Sequence, residues 1–121
     1  MEEEKFRAYL KDEKRIVDVI SLDLLNGAIT YYDDDVKEDL MVDKEDYTLI
    51  RYTGLKDSAE VEDSEGKEIY VGDIIAIEGH VNHIVGFNCG MFLWTNIRPY
   101  EPIYKKLEQY RCVIIGSVYV K

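Results

Sequence analysis

Tyr52-Thr53-Gly54-Leu55-Lys56-Asp57 and, after an acidic spacer, Gly66-Lys67-Glu68-Ile69-Tyr70-Val71-Gly72-Asp73-Ile74-Ile75 decide how this chain is read, because turn residues hold fixed places around an entry into strand. Gly54 and Gly66 stand where a reversing chain is expected to need positive φ, which glycine takes without steric cost. Gly72-Asp73 interrupts the run just before Ile74-Ile75-Ala76-Ile77, an apolar stretch too short for a helix and rich in β-branched residues, so a core strand is expected there. An aspartate at such an entry accepts backbone N–H bonds as Asx turns do, and structural use of Asp73 outweighs catalytic use.

Working upstream, Lys5 to Leu10 and Arg15 to Ile20 are strand-like runs around the polar connection Lys11 to Lys14, which predicts a β-hairpin. Asn26-Gly27, between Leu22 to Leu25 and Ala28 to Tyr32, predicts a second hairpin closed by a type I′ turn with positive φ at both central residues. Asp33 to Asp46 is dominated by acids and yields no assignable element. Tyr47 to Tyr52 alternates with period two, placing Tyr47, Leu49 and Arg51 on one face and Thr48, Ile50 and Tyr52 on the other.

Downstream, four short strands are expected at Asp73 to Glu78, Val81 to Phe87, Met91 to Thr95 and Cys112 to Val120, a spacing that suits a small barrel. Pro99 and Pro102 confine Asn96 to Glu101 to a loop. Tyr104 to Tyr110 predicts a short helical turn with Tyr104, Leu107 and Tyr110 on one side.

These runs, with the opening Lys5-Phe6-Arg7-Ala8-Tyr9, closely resemble the YopX family of small phage and prophage proteins. Tyr52, Thr53, Gly54, Leu55 and Asp57, then Gly66, Glu68, Ile69, Tyr70, Gly72, Asp73 and Ile74, match its pattern. The resemblance implies an SH3-like barrel in the C-terminal part and brings no established biochemical activity with it. Ser58 to Glu65 departs from the family pattern, which has a residue or two there, and is expected to be a mobile exposed loop. The expected architecture is mainly β: a small N-terminal acidic β-hairpin lobe at 1–57, the acidic loop 58–65, and an SH3-like β-barrel lobe at 66–121 on which the first lobe packs in one compact unit.

The net charge of −10 over 121 residues is unevenly placed, with 20 acidic and 9 basic residues through Glu65 against 5 and 6 from Gly66 onward. That distribution lacks the footprint of a nucleic-acid binder, so no direct DNA or RNA partner is expected. No apolar run spans a bilayer, and Met1-Glu2-Glu3-Glu4 is acidic where a secretory signal is positive, which makes the cytoplasm of a bacterial host the expected address. Cys89 and Cys112, widely spaced, read as reduced buried thiols.

Candidate chemistry is sparse. His80 and His83, three apart, point to opposite faces of an extended strand and do not share an ion there; only a turn at Gly79 to Asn82 would bring them together. Asp33, Asp34, Asp35, Glu38, Asp39 and Asp43 lack the ligand alternation and mid-loop glycine of a calcium loop and read as a solvated acidic face. No phosphate loop, nucleophile elbow or zincin helix occurs, and no cofactor, metal or catalytic residue is expected. Ten tyrosines, three phenylalanines and one tryptophan remain. Most are expected to fill the core, Phe87, Phe92 and Trp94 dividing between core and surface, while Tyr100 and Tyr104 are singled out as an interaction surface. The sequence therefore points to a non-enzymatic accessory protein that contacts a host or phage protein, or a second copy of itself. An acidic nucleic-acid mimic that occupies a basic host protein is the runner-up, and an enzyme without a visible motif is the third reading.

Overall fold

The computed structural model describes residues 5–58 and 66–120, and the expected loop at 58–65 lies, Ser58 apart, outside them. In chain order the elements are β1 (Phe6–Leu10), β2 (Arg15–Asp18), β3 (Ser21–Leu22), β4 (Ile29–Asp33), β5 (Glu38–Val42), β6 (Tyr47–Lys56), β7 (Glu68–Tyr70), β8 (Asp73–Ile77), β9 (His83–Asn88), β10 (Met91–Trp94), α1 (Ile103–Gln109) and β11 (Cys112–Ser117). The chain divides into two units, the first through Arg51 and the second from Tyr52 to Tyr119, so Tyr52 to Asp57 group with the second. Among the described residues no helix is long and apolar enough to cross a membrane.

In the first unit β1 pairs antiparallel with β2 and, along its other side, with Tyr47 to Arg51 of β6. The β1–β2 hairpin is closed by Lys14 in a left-handed conformation, its N–H donating to the Leu10 carbonyl at 2.7 Å. Strands β3, β4 and β5 form a second sheet in sequence order. Alternation along β4 turns Ile29, Tyr31 and Asp33 inward, and Ile29 and Tyr31 join Ala8, Leu10 and Tyr47 in one apolar core.

Two details differ from the sequence reading. The connection after β3 is longer than a type I′ turn and only Gly27 has positive φ. Asp23 supplies the reason: its carboxylate accepts the N–H groups of Leu25 (3.0 Å) and Asn26 (3.2 Å) and the Asn26 side-chain amide (2.9 Å), while its carbonyl receives Gly27 N–H. This Asx arrangement ends the strand at Leu22 and leaves Leu24 and Leu25 about nine-tenths exposed. The acid-rich stretch that yielded no element holds a turn and β5, which pairs with β4 from Ile29↔Val42 to Asp33↔Glu38.

In the second unit the strand order is β10-β9-β8-β11, while β7 pairs with the second half of β6 across a register shift between Tyr52 and Lys56. Its core gathers Ile69, Ile75, Ile77, Val85, Trp94, Ile103 and Cys112, with Leu55, Phe92, Ile97, Leu107 and Ile114 packed against it. Trp94 is thus core, Phe92 partly buried and Phe87 exposed, its ring 5.0 Å from Phe92. The helical turn expected near Tyr104 is α1, but its core side is Ile103 and Leu107, four residues apart, and Tyr104 and Tyr110 are exposed.

Candidate functional site

The signature residues surround one structural junction of the second unit. Tyr52 on β6 and Tyr70 on β7 are register partners with ring centroids 5.3 Å apart. Thr53 Oγ1 donates to the Ile69 carbonyl (2.8 Å) and accepts the Leu55 N–H (3.2 Å), bridging the place where the ladder slips past Gly54. Asp57, 7% exposed, donates its N–H to Lys67 O (2.9 Å) and accepts Lys67 N–H at Oδ1 (2.6 Å) and Ile114 N–H at Oδ2 (2.9 Å). Ser58 continues along β11, its N–H donating to Cys112 O (2.7 Å) and its Oγ accepting Cys112 N–H (3.1 Å). A deletion of the spacer therefore has to spare Ser58.

At Gly66 the structure shows a close approach: a Cβ there would lie 1.8 Å from the Asp57 carbonyl oxygen, so two backbones passing each other demand glycine. Gly72 does have φ +94°, with its N–H on Val85 O and its carbonyl receiving Val118 N–H, both at 2.8 Å. Asp73, buried, accepts Tyr70 N–H at 2.8 Å, Ile69 is wholly buried, and Ile74 pairs with Ile84 and Gly116 in the sheet. Glu68 is half-buried on β7.

The histidines depart from the opposite-face expectation, because Glu78 to His80 turns, with His80 N–H on Ile77 O at 3.0 Å, and brings the rings edge-on at 6.3 Å. His80 is exposed and packs on Tyr110, whereas His83 is 2% exposed, edge-on to Trp94 at 5.1 Å, with Nδ1 hydrogen-bonded to the Val81 carbonyl. Among the described residues no group of three or more His, Cys, Asp or Glu side chains is placed to hold a metal ion.

Burial, with smaller contributions from Lys106 and His80, lowers the His83 pKa from 6.5; the bond to Val81 O and the Glu101 charge oppose it. The unfolded state then binds the proton more readily than the folded one, so this contribution is present above pH 6.5 and is lost as pH falls below it. The urea midpoint is expected to fall between pH 7 and pH 5, above the range where carboxylates titrate, and His83→Asn should flatten that slope.

Cys112 is buried, and burial first, then the Asp57 charge, pushes its thiol pKa up. Cys89 corrects the reading of two buried thiols: it sits exposed at the β9–β10 turn with φ +53°. Asp33 corrects the reading of a uniformly solvated acidic face. It points inward, accepts Asp35 N–H (2.8 Å), Val36 N–H (3.2 Å) and Arg15 Nη2 (3.0 Å), and its pKa is lowered chiefly by the Val36 bond, against burial and with help from Asp35 and Arg15. Asp34, Asp35, Glu38, Asp39 and Asp43 are exposed.

Tyr100 and Tyr104 are each 48% exposed, and the Arg98 guanidinium lies 4.1 Å from the centroid of the Tyr100 ring while donating to Thr95 O at 2.9 Å. Stacking of this kind fixes an aromatic side chain that still shows one face to solvent.

Comparison with known proteins fits this geometry. Among solved structures the chain is similar to protein EF1440 from Enterococcus faecalis, with a TM-score of 0.64 and 22% identity, over 98% of this chain and 95% of that one. That likeness shows the fold alone, mainly β with a curled half-barrel sheet. A search of curated proteins gives no significant match. The family model described as YopX protein matches residues 5–121, nearly the full length, and the chain belongs to the YopX family.

Proposed function

We propose that the chain is a non-enzymatic accessory protein of phage or prophage origin, working in the cytoplasm of a bacterial host by contact with a host or phage protein or with a second copy of itself. Tyr100 and Tyr104, carried by an SH3-like barrel, form the contact surface in this reading. The observation that carries it is a contrast in use. The buried polar side chains Asp57, Asp73 and His83 are bonded to backbone groups, which leaves them a structural task, while two aromatic rings are held half-exposed, one of them under a guanidinium. Rigid aromatic side chains beside an arginine are the residues that dominate binding energy at protein interfaces.

The runner-up, an acidic mimic of nucleic acid, draws on the excess of acids through Glu65. Asp33 weakens it, since that carboxylate is committed to Arg15 and its own turn. The two readings separate by capture of partners from host lysate with wild-type protein, Tyr100→Ala, Tyr104→Ala, and a variant neutralised at Asp34, Asp35, Glu38 and Asp39. The aromatic reading expects a partner that survives moderate salt and loses roughly tenfold or more in affinity with either tyrosine removed. A partner that dissociates steeply with salt, fails to bind the neutralised variant and ignores the tyrosine substitutions would establish the mimic instead.

A further inference from the structure

The three-stranded sheet of the first unit ends at β5, whose far side pairs with no other strand among the described residues. The backbone bonds decide which of its groups face outward. Antiparallel neighbours alternate between pairs that exchange hydrogen bonds and pairs whose groups turn away from each other. The carbonyls of Ala28 and Thr30 point to the β3 side, receiving the N–H groups of Asp23 and Ile20 at 2.8 Å each, so Ile29, Tyr31 and Asp33 are the residues that bond β5, through Val42, Leu40 and Glu38. Asp39 and Met41 therefore direct their N–H and C=O groups out of the sheet edge, and Met41 is 70% exposed. We propose that this edge pairs antiparallel with the same edge of a second copy of the chain, about a twofold axis at Leu40. Asp39 of each copy then exchanges backbone hydrogen bonds with Met41 of the other, and two three-stranded sheets become one continuous sheet.

Charge selects both the occupant and the register. With Leu40 on the axis, Asp39 stands opposite Met41, Glu38 opposite Val42 and Lys37 opposite Asp43, so every acid along the edge faces an apolar or a basic residue. Placing Asp39 on the axis would set it against its own copy, and placing Met41 there would set Asp39 against Asp43; like charges directly opposite destabilise a strand pair. On the inner face Leu40 and Val42 already pack against the core that holds Ile29 and Tyr31, and pairing at Leu40 extends that apolar layer across the axis. An open edge with an exposed apolar side chain is a template for another strand, and the acids beside Met41 narrow the strands it accepts. Each copy carries a net charge of −10, so long-range repulsion opposes the association and salt relieves it. This contact lies in the first unit and uses neither Tyr100 nor Tyr104, so it goes beyond the surface proposed above and is tested apart from it.

Sedimentation equilibrium of the full chain is expected to show monomer and dimer, the dimer fraction rising with protein concentration and with salt. Met41→Glu sets an acid against Asp39 at both symmetry-related pairs and should weaken dimerisation roughly tenfold, whereas Met41→Lys should hold or strengthen it. Leu25→Glu, the same charge change at an exposed residue away from the edge, and Tyr100→Ala should leave it unchanged. Met41 and Leu25 are both exposed, and circular dichroism reports that each variant is folded. Mild oxidation reads the register: Cys89→Ser/Leu40→Cys should give a disulfide-linked dimer and Cys89→Ser/Glu38→Cys should not. A monomer at every concentration, a dimer as sensitive to Leu25→Glu as to Met41→Glu, equal loss with Met41→Glu and Met41→Lys, a dimer lost in Tyr100→Ala, or equal cross-linking of the two cysteine variants would each overturn the proposal.

Discussion

Asp57→Ala should lower the stability of the second unit by about 3 kcal/mol, because it removes a buried acceptor and leaves the N–H groups of Lys67 and Ile114 without it. Asp57→Asn keeps one side-chain carbonyl oxygen and should cost less, so the pair of variants separates loss of an acceptor from loss of side-chain packing. Trp94 is the single tryptophan and is wholly buried in this unit's core, so its fluorescence follows the relevant transition. With a urea slope of roughly 2 kcal/mol/M, the expected loss moves the midpoint down by about 1.5 M. An Asp57→Ala protein with the wild-type midpoint but no partner binding would show that the carboxylate serves recognition and not the fold.

Gly66→Ala should be at least as damaging. The added methyl would sit 1.8 Å from the Asp57 carbonyl oxygen and 3.1 Å from Asp57 Oδ1, and the obstructing atom is backbone of a residue whose N–H and carboxylate are both bonded to Lys67. A side chain could rotate away, but here two chain segments must separate, which breaks the Asp57–Lys67 pair. Overpacking that forces a backbone shift and lost hydrogen bonds together put the cost at about 3 kcal/mol. Gly54→Ala is the comparison: it meets nothing within 4 Å, so only its left-handed backbone is strained and a loss of about 1 kcal/mol is expected. Equal melting of the two variants would refute the close-approach account of Gly66.

What the sequence revealed depended on how local the physics was. The β1–β2 hairpin and β8 to β11 follow from short strand-like runs bounded by polar turns or by Gly, Asn or Pro, properties of adjacent residues. Strand β5 was hidden because Glu38 and Asp39 face solvent at the start of a short strand whose pairing with β4 is set by Asp33 bonding its own turn. Asn26-Gly27 marked the right place for a reversal but the wrong turn, since Asp23, three residues before Asn26, takes over the backbone donors. The role of Asp57 could not be read from its neighbours, because one of its acceptor bonds reaches Ile114, 57 residues away. Gly66 reads in the sequence as a turn glycine, and a sequence does not distinguish a glycine needed for positive φ from one needed to let another chain segment pass.

The bonds that Asp57 and Ser58 make to Cys112 and Ile114 also limit how the second unit can meet other proteins. They occupy backbone groups along the outer edge of β11, where an incoming strand would otherwise find donors and acceptors. At the opposite edge of the same sheet, β10 is met by Pro102 opposite Leu93 and by Trp94 N–H on Glu101 O at 3.3 Å. With both edges engaged, this sheet is poorly suited to β-augmentation and to edge-to-edge aggregation, and recognition is left to side chains on its surface.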